Sequence, residues 1–146
     1  MLSNHSIHNH YHFYSNKQKL HLIGQSAEKT VISWSDYAKK TGPTGYEMGT
    51  SATSTVFLYA DDFLAENITI ENAAGEGKDI AQACAITVDA DRVAFINCRF
   101  IANQDTIYTY GKGQRQYYRG CWIEGTTDFI FGASTCWFED CTILSK

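Results

Sequence analysis

The sequence contains 146 residues, with 12 Lys and Arg against 16 Asp and Glu and a formal net charge of −4. This balance argues against a broad basic surface for duplex nucleic acid. Hydrophobic residues make up 44% and charged residues 19%, which is enough to build a folded core and excludes a disordered tail. No stretch of about 18 apolar residues is present, so neither a membrane-spanning helix nor a membrane partner is expected.

The first 16 residues lack the basic segment and the apolar segment of a signal peptide. They contain four of the five histidines, whose alternation could bind a metal ion: His5, His8, His10 and His12. No carboxylate or cysteine in this tract completes a ligand set, and chain termini are commonly poorly ordered. We therefore expect no metal site, an unrelated and poorly ordered segment over residues 1–16, and a single domain over residues 17–146.

The rest of the chain is predicted to be rich in short strands. No window of about 12 residues keeps a helical period between end caps. Short alternating segments rich in Val, Ile, Phe, Tyr and Thr are predicted as strands at 19–23, 30–33, 55–59, 67–70, 85–88, 93–100, 116–123 and 136–144. Loops are predicted at 41–45 and 73–78, where Gly is frequent.

Four of these segments share a repeated pattern. Each has an aromatic residue or Leu, two mostly polar residues, Asn or Cys, any residue, and then an apolar residue. The fourth position is occupied, at steps of 31, 23 and 20 residues, by Asn67, Cys98, Cys121 and Cys141. A step of about 20 residues without a helix is typical of one coil of a parallel β-helix. About eight extra residues of the first step are assigned to a loop over 73–80. The alternative is a β-sandwich with accidental spacing.

Stacked coils place equivalent residues about 4.8 Å apart. Cys98 and Cys121 would then lie within disulfide range, and both a disulfide and a ladder of reduced, buried thiols fit this spacing. Cys84 and Cys136 are expected in the core, because no His of the repeat region pairs with them. Asn67 begins an Asn-Ile-Thr sequon, but its place on the ladder predicts a buried, unmodified side chain.

The same spacing brings two carboxylates together. Asp105 and Asp128 each follow a ladder cysteine by seven residues, so they are expected on one face, one coil apart. Two such carboxylates cannot both ionise freely, so one can act as an acid while the other stays charged and nucleophilic. Gln104 adjoins Asp105. Gln82 is expected level with Asp105 on the neighbouring coil if the extra loop over 73–80 is placed before Gln82. Two neutral amides are suitable oxyanion donors for acyl transfer. The alternative is that these aspartates are turn or capping residues.

Two further groups have open interpretations. Lys112, Arg115 and Arg119 form either a cationic strip suited to an anionic polymer or a solvated loop. Flat faces suited to sugar rings are available, unless they point into the core, at Tyr108, Tyr110, Trp122 and Phe131.

Six segments form a specific combination: GTSATST at 49–55, FLAENITIENAAG at 63–75, QACAITV at 82–88, DRVAFINCRFIANQDTIY at 91–108, QYYRGC at 116–121 and WIEGTTDFIFG at 122–132. A Gln-Asp-Thr triplet followed by a Gly-Thr-x-Asp-Phe-Ile-Phe-Gly block is far more specific than one short motif. From about residue 19 to residue 146 the sequence resembles the pectin methylesterase (pectinesterase) family, carbohydrate esterases that de-esterify pectin.

The resemblance implies an all-β fold, a right-handed single-stranded parallel β-helix. It also implies that Asp128 is the nucleophile, that Asp105 is the general acid and then base, and that Gln104 and Gln82 stabilise the tetrahedral intermediate. The substrate-binding candidates are Thr50, Gln82, Tyr108 and Phe131. Cys98 and Cys121 match positions that are bridged in some members of the family.

The family pattern continues with a Leu-Gly-Arg-Pro-Trp block, whose Arg holds the nucleophilic carboxylate, and this block does not occur in the sequence. We therefore expect the central part of a longer, monomeric enzyme, with the β-helix truncated at both ends. The implied reaction releases methanol from methyl-esterified homogalacturonan, outside the cell or in the periplasm, with no metal or cofactor. The alternatives are an inactive pectin-binding fragment without the catalytic Arg and, ranked lower, a β-helix glycosidase with two carboxylates.

Overall fold

The computed structural model describes residues 10–14 and 19–146. These residues form three parallel sheets of five strands each. Successive strands belong to the first, second and third sheet in turn, so every third strand joins the same sheet. The first sheet contains β1 (Tyr11–Phe13), β4 (Val56–Leu58), β7 (Ile86–Val88), β10 (Ile107–Thr109) and β13 (Ile130–Gly132). The second contains β2 (His21–Ile23), β5 (Leu64–Glu66), β8 (Val93–Ile96), β11 (Arg115–Arg119) and β14 (Thr135–Glu139). The third contains β3 (Val31–Trp34), β6 (Thr69–Asn72), β9 (Arg99–Ile101), β12 (Trp122–Gly125) and β15 (Thr142–Ser145). The predicted parallel β-helix is therefore confirmed.

A sharp bend separates the second sheet from the third in every coil after the first. Its residues have positive φ values between 52° and 60° and form one row along the axis, which we call the Asn corner: Asn67, Asn97, Gly120 and Asp140. Asn, Asp and Gly tolerate this left-handed conformation better than other residues. The short polar positions of the repeat are therefore bends, and the strands on either side need only three to five residues.

The Asn corner corrects the sequence alignment of the first repeat. Asn67 was placed on the cysteine ladder, but the pairing of Thr69 with Arg99 sets Ile68, and not Asn67, level with Cys98. Asn67 is half-buried in the bend, whereas Ile68 is fully buried. The sequence alignment made Asn67 equivalent to Cys98. In the structure Asn67 is level with Asn97 in the bend, one residue before the row of cysteines. The expectation that Asn67 is buried on the ladder is wrong.

The N-terminal region differs from the expected separate segment. Tyr11–Phe13 forms β1, which pairs in parallel with Val56–Leu58. The side chains of Tyr11 and Phe13 pack against the core, and the Phe13 ring lies 5.4 Å from the Phe63 ring. Residues 10–14 thus extend the first sheet. His5, His8 and Asn4 lie outside the described residues.

The core fills the space enclosed by the three sheets. Along the second sheet three aromatic rings at equivalent positions are stacked coil upon coil: Phe95, Tyr118 and Phe138. Phe95 and Tyr118 are fully buried, with ring centroids 5.1 Å apart. Equivalent side chains therefore contact one another along the axis, which fixes the register of the coils.

Two long connections leave the regular coil beside the first sheet, over residues 35–55 and 73–85. The buried side chain of Asn72 ties them together. Its Nδ2 donates to the carbonyls of Asp36 at 2.9 Å, Thr53 at 3.1 Å and Cys84 at 3.0 Å. The loop expected over 73–80 is present and mostly exposed. In the part of the chain that the structure describes, no helix is long and apolar enough to cross a bilayer.

Candidate active site

Two aspartates lie at equivalent positions just ahead of neighbouring strands of the first sheet. Asp105 precedes β10 and Asp128 precedes β13, and the pairing of Ile107 with Ile130 sets them side by side on adjacent coils. The backbone N–H of Asp105 donates to the carbonyl of Thr127 at 3.0 Å. Both aspartates have positive φ, at 67° and 48°, so the chain bends in the same way at each.

The two carboxylates have different environments. The Asp105 residue is only 6% exposed, whereas Asp128 is exposed. Burial is the main cause and the negative charge of Asp128 the second cause that together raise the pKa of Asp105 to about 6. Asp105 can therefore hold a proton close to neutral pH, while its neighbour faces the solvent. This asymmetry is what a pair consisting of an acid and a nucleophile requires.

Two glutamine residues lie at the same end of the first sheet. The N–H of Ala83 donates to the carbonyl of Gln104 at 3.1 Å, which sets Gln82 level with Gln104 and not with Asp105. The expected level of Gln82 is thus wrong by one residue. A bulge accounts for the shift, because two successive N–H groups at the start of β7 share one carbonyl of the next coil. Both glutamine side chains are half-buried, so their amides are accessible.

A cleft of about 510 Å³ opens beside the carboxylates. It is lined by Lys39, Glu76, Gly77, Lys78, Ala81, Gln104, Thr126 and Thr127. Gln104 and Thr127 adjoin Asp105 and Asp128 in sequence, so the cleft reaches the candidate site. Its opposite wall comes from the two long connections, which brings residues far apart in sequence to one place.

Thr50 lies in a short 3-10 helix, Thr50–Ala52, on the first of these connections. Its carbonyl accepts a hydrogen bond from Thr53 Oγ1 at 2.9 Å and faces Cys84 Sγ at 3.9 Å. The pKa of Cys84 is raised to about 12, mainly by burial and in part by the negative charge of Asp105. Cys84 is therefore a core thiol beneath the candidate site. Thr50 lies at the margin of that site.

Tyr108 and Phe131 pair on the outer face of the first sheet. Their rings are stacked with centroids 4.3 Å apart and planes 12° apart. Each lies three residues after one of the two aspartates, so the aromatic pair and the carboxylates occupy the same two coils. Trp122 does not belong to this group, because it lies on the third sheet, where its Nε1 donates to Glu124.

The cysteine ladder is present, but its thiols are not bonded to one another. All five cysteines are free. Cys98 and Cys121 are level on adjacent coils, as their sequence neighbours show. Each Sγ points back to the preceding coil, Cys98 towards the carbonyl of Ala65 at 3.5 Å and Cys121 towards that of Phe95 at 3.4 Å. The thiols thus have carbonyl partners, and the disulfide stays a prediction.

The predicted cationic strip is only partly cationic. The Arg115 guanidinium forms a bidentate pair with Asp91, with contacts of 2.6 Å and 3.0 Å. Arg119 lies in β11 of the second sheet. Arg115 and Arg119 therefore lie on a different sheet from the strands that follow the aspartates, and Arg115 is paired with Asp91, whereas Lys112 is exposed in the turn between β10 and β11.

Sequence reasoning missed the residues that close the cleft. Lys39 donates to the carbonyl of Lys78, which joins the two long connections. Neither lysine lies in a repeat or a motif, so no spacing argument could find it. Asn72 gave a weak signal, as a polar residue where a buried strand meets a glycine-rich loop. Among residues 10–14 and 19–146, no three His, Cys, Asp or Glu side chains are grouped as a metal site.

The comparisons with known proteins agree with one another. A family model described as Pectinesterase matches residues 7–146, which includes β1. Pectinesterase 31 of Arabidopsis thaliana is 45% identical over 135 residues, which are 89% of this chain and 41% of that protein.

Solved structures give the same result. A pectin methylesterase in complex with a hexasaccharide superposes with a TM-score of 0.85 at 32% identity, over 94% of this chain and 43% of that one. Pectin methylesterase from carrot superposes with a TM-score of 0.80 at 30% identity, over 94% and 41%. The chain thus spans about two fifths of the length of the proteins that it matches. Because the family model matches nearly the whole sequence, the chain belongs to the pectinesterase family.

Proposed function

We propose that this protein hydrolyses the methyl esters of pectin, with Asp128 as nucleophile and Asp105 as general acid and base. One observation carries the proposal: two aspartates stand side by side on adjacent coils, one buried with a raised pKa and one exposed. An esterase that uses a carboxylate nucleophile needs this division of roles. Membership of the pectinesterase family supports the assignment.

In the first half of the reaction, a carboxylate oxygen of Asp128 adds to the carbonyl carbon of the ester. The side-chain amides of Gln104 and Gln82 donate to the oxyanion that forms, and they do so without neutralising the nucleophile. The carbon–oxygen bond to the methoxy group then breaks. Asp105 gives its proton to the departing oxygen, and methanol leaves.

In the second half, the sugar acid is held on Asp128 as an anhydride. Asp105, now a carboxylate, takes a proton from a water molecule, whose oxygen adds to the sugar carbonyl carbon. The bond to Asp128 breaks, the free galacturonate leaves, and both aspartates regain their starting states. The cycle consumes one water and yields one methanol and one carboxylic acid.

The substrate proposed is methyl-esterified homogalacturonan. A relative of the same fold has been solved with a bound hexasaccharide, which supports a polymeric ligand. Thr50 at the margin and the stacked Tyr108 and Phe131 are the proposed substrate contacts. Because pectin is a cell-wall polymer, the proposed site of action is outside the cell or in the periplasm.

Methanol release from highly esterified pectin tests the proposal. We expect Asp128→Asn to abolish turnover, because an amide is a poor nucleophile. Asp105→Asn should lower the rate by about 10²–10⁴, through loss of proton transfer. Asp140→Asn, which removes an exposed carboxylate from the Asn corner, is the control and should keep full activity.

Two outcomes would contradict the proposal. New reducing ends without methanol would indicate a glycosidase. Binding of pectin without turnover by the unsubstituted chain would indicate a pectin-binding protein.

A further inference from the structure

Thr106 is the last residue of the Gln-Asp-Thr triplet, and the proposed reaction gives it no role. The residue is fully buried, with 0% of its surface exposed. Its Oγ1 donates to the carbonyl of Glu124 at 2.9 Å and also faces the carbonyl of Asn103 at 3.3 Å. A hydroxyl group has a single proton, so the shorter contact, to Glu124, is the main hydrogen bond. This bond joins the chain segment that holds Asp105 to the segment that holds Asp128.

Backbone hydrogen bonds join the same two segments, residues 103–107 and 124–129, which together we call the aspartate clasp. These bonds, of 2.9–3.0 Å, run between N–H and carbonyl groups from Thr126 to Asn103, from Asp105 to Thr127 and from Ile107 to Phe129. The side-chain bond of Thr106 therefore lies within a short ladder that sets one aspartate segment against the other.

Gly125 allows the two segments to approach closely. A Cβ atom on Gly125 would lie 2.5 Å from Thr106 Oγ1, 2.2 Å from the Cβ of Phe129 and 2.7 Å from the carbonyl oxygen of Asn103. The backbone of residue 125 therefore packs directly against the Thr106 hydroxyl, with no room for a side chain between them. A change at this hydroxyl is transmitted to the backbone that leads to Asp128.

The backbone of Thr106 also contacts the segment that holds Gln82. Its carbonyl accepts hydrogen bonds from the N–H groups of Ala85 at 2.9 Å and Ile86 at 3.3 Å, which are the two donors of the bulge at the start of β7. Thr106 thus bonds with its carbonyl to one neighbouring coil and with its hydroxyl to the segment of Asp128. It lies at the centre of the group formed by the two aspartates and the two glutamines.

Both aspartates need such support, because their backbones adopt the left-handed conformation. Their φ values are 67° for Asp105 and 48° for Asp128. A residue other than glycine keeps this conformation only where the surrounding structure holds it. If the backbone relaxed, the direction of each Cα–Cβ bond would change, and each carboxylate would move with it.

We propose that Thr106 is a positioning residue, whose hydroxyl holds the aspartate clasp in the geometry in which Asp105 can exchange a proton beside Asp128. Its effect on turnover rests on the proposed function. Thr106 is buried and contacts neither the substrate nor the reacting atoms, so it acts only through the two backbone segments. Proton transfer and nucleophilic attack are both sensitive to small displacements of the reacting groups.

The first test measures kcat and KM for methanol release from highly esterified pectin. Thr106→Val removes the hydroxyl and keeps the branched shape of the side chain. We expect kcat to fall about 10- to 100-fold, because a displacement of about 1 Å at the reacting groups has an effect of this size. KM should change by less than about 3-fold, because no substrate contact is lost. Thr106→Ser keeps the hydroxyl and should keep kcat within about 3-fold of the unsubstituted chain.

Thr69→Val is the matched control. Thr69 is 3% exposed, and its Oγ1 donates to the carbonyl of Ala27 in the preceding coil at 2.6 Å. The substitution removes an equally buried hydroxyl between coils, but it does so in β6 of the third sheet. Urea unfolding should show that both valine variants lose stability, whereas only Thr106→Val should lose kcat. An equal loss of kcat in Thr69→Val would show that general destabilisation is the cause, and would overturn the proposal.

A second measurement needs no turnover. The negative charge of Asp128, after burial, raises the pKa of Asp105, so Asp128→Asn should lower this pKa. In the Thr106→Val background Asp128→Asn should lower it clearly less, because the two carboxylates are no longer held side by side. Carbon-13 NMR of the Asp105 carboxyl group measures both differences. Cys84 has a pKa of about 12 and stays neutral throughout the titration.

Different failures have different meanings. If the unsubstituted chain releases methanol and Thr106→Val does so with unchanged kcat, the positioning role is wrong and the proposed function stands. If the unsubstituted chain releases no methanol, the proposed function fails, and the NMR comparison decides alone. An equal decrease of the Asp105 pKa in both backgrounds would then overturn the positioning role. If Thr106→Val does not fold, Thr106→Ala removes the same hydroxyl with less bulk, and the same results are expected from it.

Discussion

Asp105 and Asp128 share a side chain, a backbone conformation and a position in the coil, but burial separates their chemistry. Asp105 lies under the neighbouring coil at 6% exposure, while Asp128 stands on the exposed side. In the proposed mechanism one residue type supplies both the acid and the nucleophile, because the two aspartates lie on successive coils with different burial. The shifted pKa of Asp105 also affects folding, because a pKa that differs between the folded and the unfolded chain makes the free energy of unfolding depend on pH.

The raised pKa of Asp105 predicts a specific pH dependence of stability. The folded protein, with a pKa of about 6, keeps this proton where the unfolded chain, with 3.8, has lost it. The stabilisation is fully present below about pH 4 and is lost as the pH rises through 6, by roughly 3 kcal/mol. Urea unfolding between pH 4 and pH 8 measures it, as the difference between the unsubstituted chain and Asp105→Asn.

The sign is the critical point of this experiment. The unsubstituted chain should lose stability relative to Asp105→Asn as the pH rises. Asp140→Asn, an exposed carboxylate of the Asn corner, should show no such relative loss. A difference between the chain and Asp105→Asn that stays constant with pH would contradict the assignment.

Among the elements, the bends of the coil determine where the strands begin and end. The Asn corner holds four residues with left-handed φ in one row, and each of them is Asn, Asp or Gly. A β-branched residue is strained in this conformation, by about 1–2 kcal/mol, because its Cβ crowds the backbone. The corner therefore restricts the sequence through local sterics, independently of the hydrophobic core.

Asn97 tests the corner, since its side chain is exposed and its φ is 52°. We expect Asn97→Val to lower the free energy of unfolding by about 1–2 kcal/mol through backbone strain. Asn97→Gly is the matched control and should change it by less than about 1 kcal/mol, because Gly adopts this conformation freely. Urea denaturation followed by tryptophan fluorescence gives both values. Equal destabilisation by the two variants would show that a side-chain contact is involved instead.

The same corner explains how far sequence reasoning reached. The repeat predicted the β-helix and the adjacency of Asp105 and Asp128, because coil-to-coil spacing depends only on counting residues between equivalent positions. Counting failed at Asn67 and at Gln82, each by one residue. An extra residue in a bend or a bulge shifts the alignment of neighbouring coils by one position. Such a residue leaves no recognisable spacing in the sequence.

The cleft walls could not be predicted for a different reason. Lys39 and Lys78 belong to irregular connections, whose path depends on tertiary contacts such as the three carbonyls held by Asn72. No periodicity describes such a path. His10 and His12, which gave only a weak metal signal in the sequence, are placed by the pairing of β1 with β4.

At the scale of the whole molecule, stacked coils leave apolar surface at the ends of the stack. At one end, β14 and β15 expose Trp137 by 69%, Ile143 by 49% and Leu144 by 41%. At the other, Ile23 and Val31 are 60% and 48% exposed. In the described structure each terminal strand pairs on one side only. Backbone groups along such edges are free to pair with another chain.

These ends predict self-association of the 146-residue chain. Ile143 is level with the fully buried Ile123, so it is the end of the core row exposed to solvent. Ile143→Lys places a charge on this surface and should shift association to at least several-fold higher protein concentration. Tyr46→Lys, at a 79% exposed loop position outside the terminal strands, is the matched control and should associate like the unsubstituted chain. Sedimentation velocity across a concentration series measures the shift. A chain that stays monomeric throughout, or a control that dissociates as readily as Ile143→Lys, would show that the stack ends are not the contact surface.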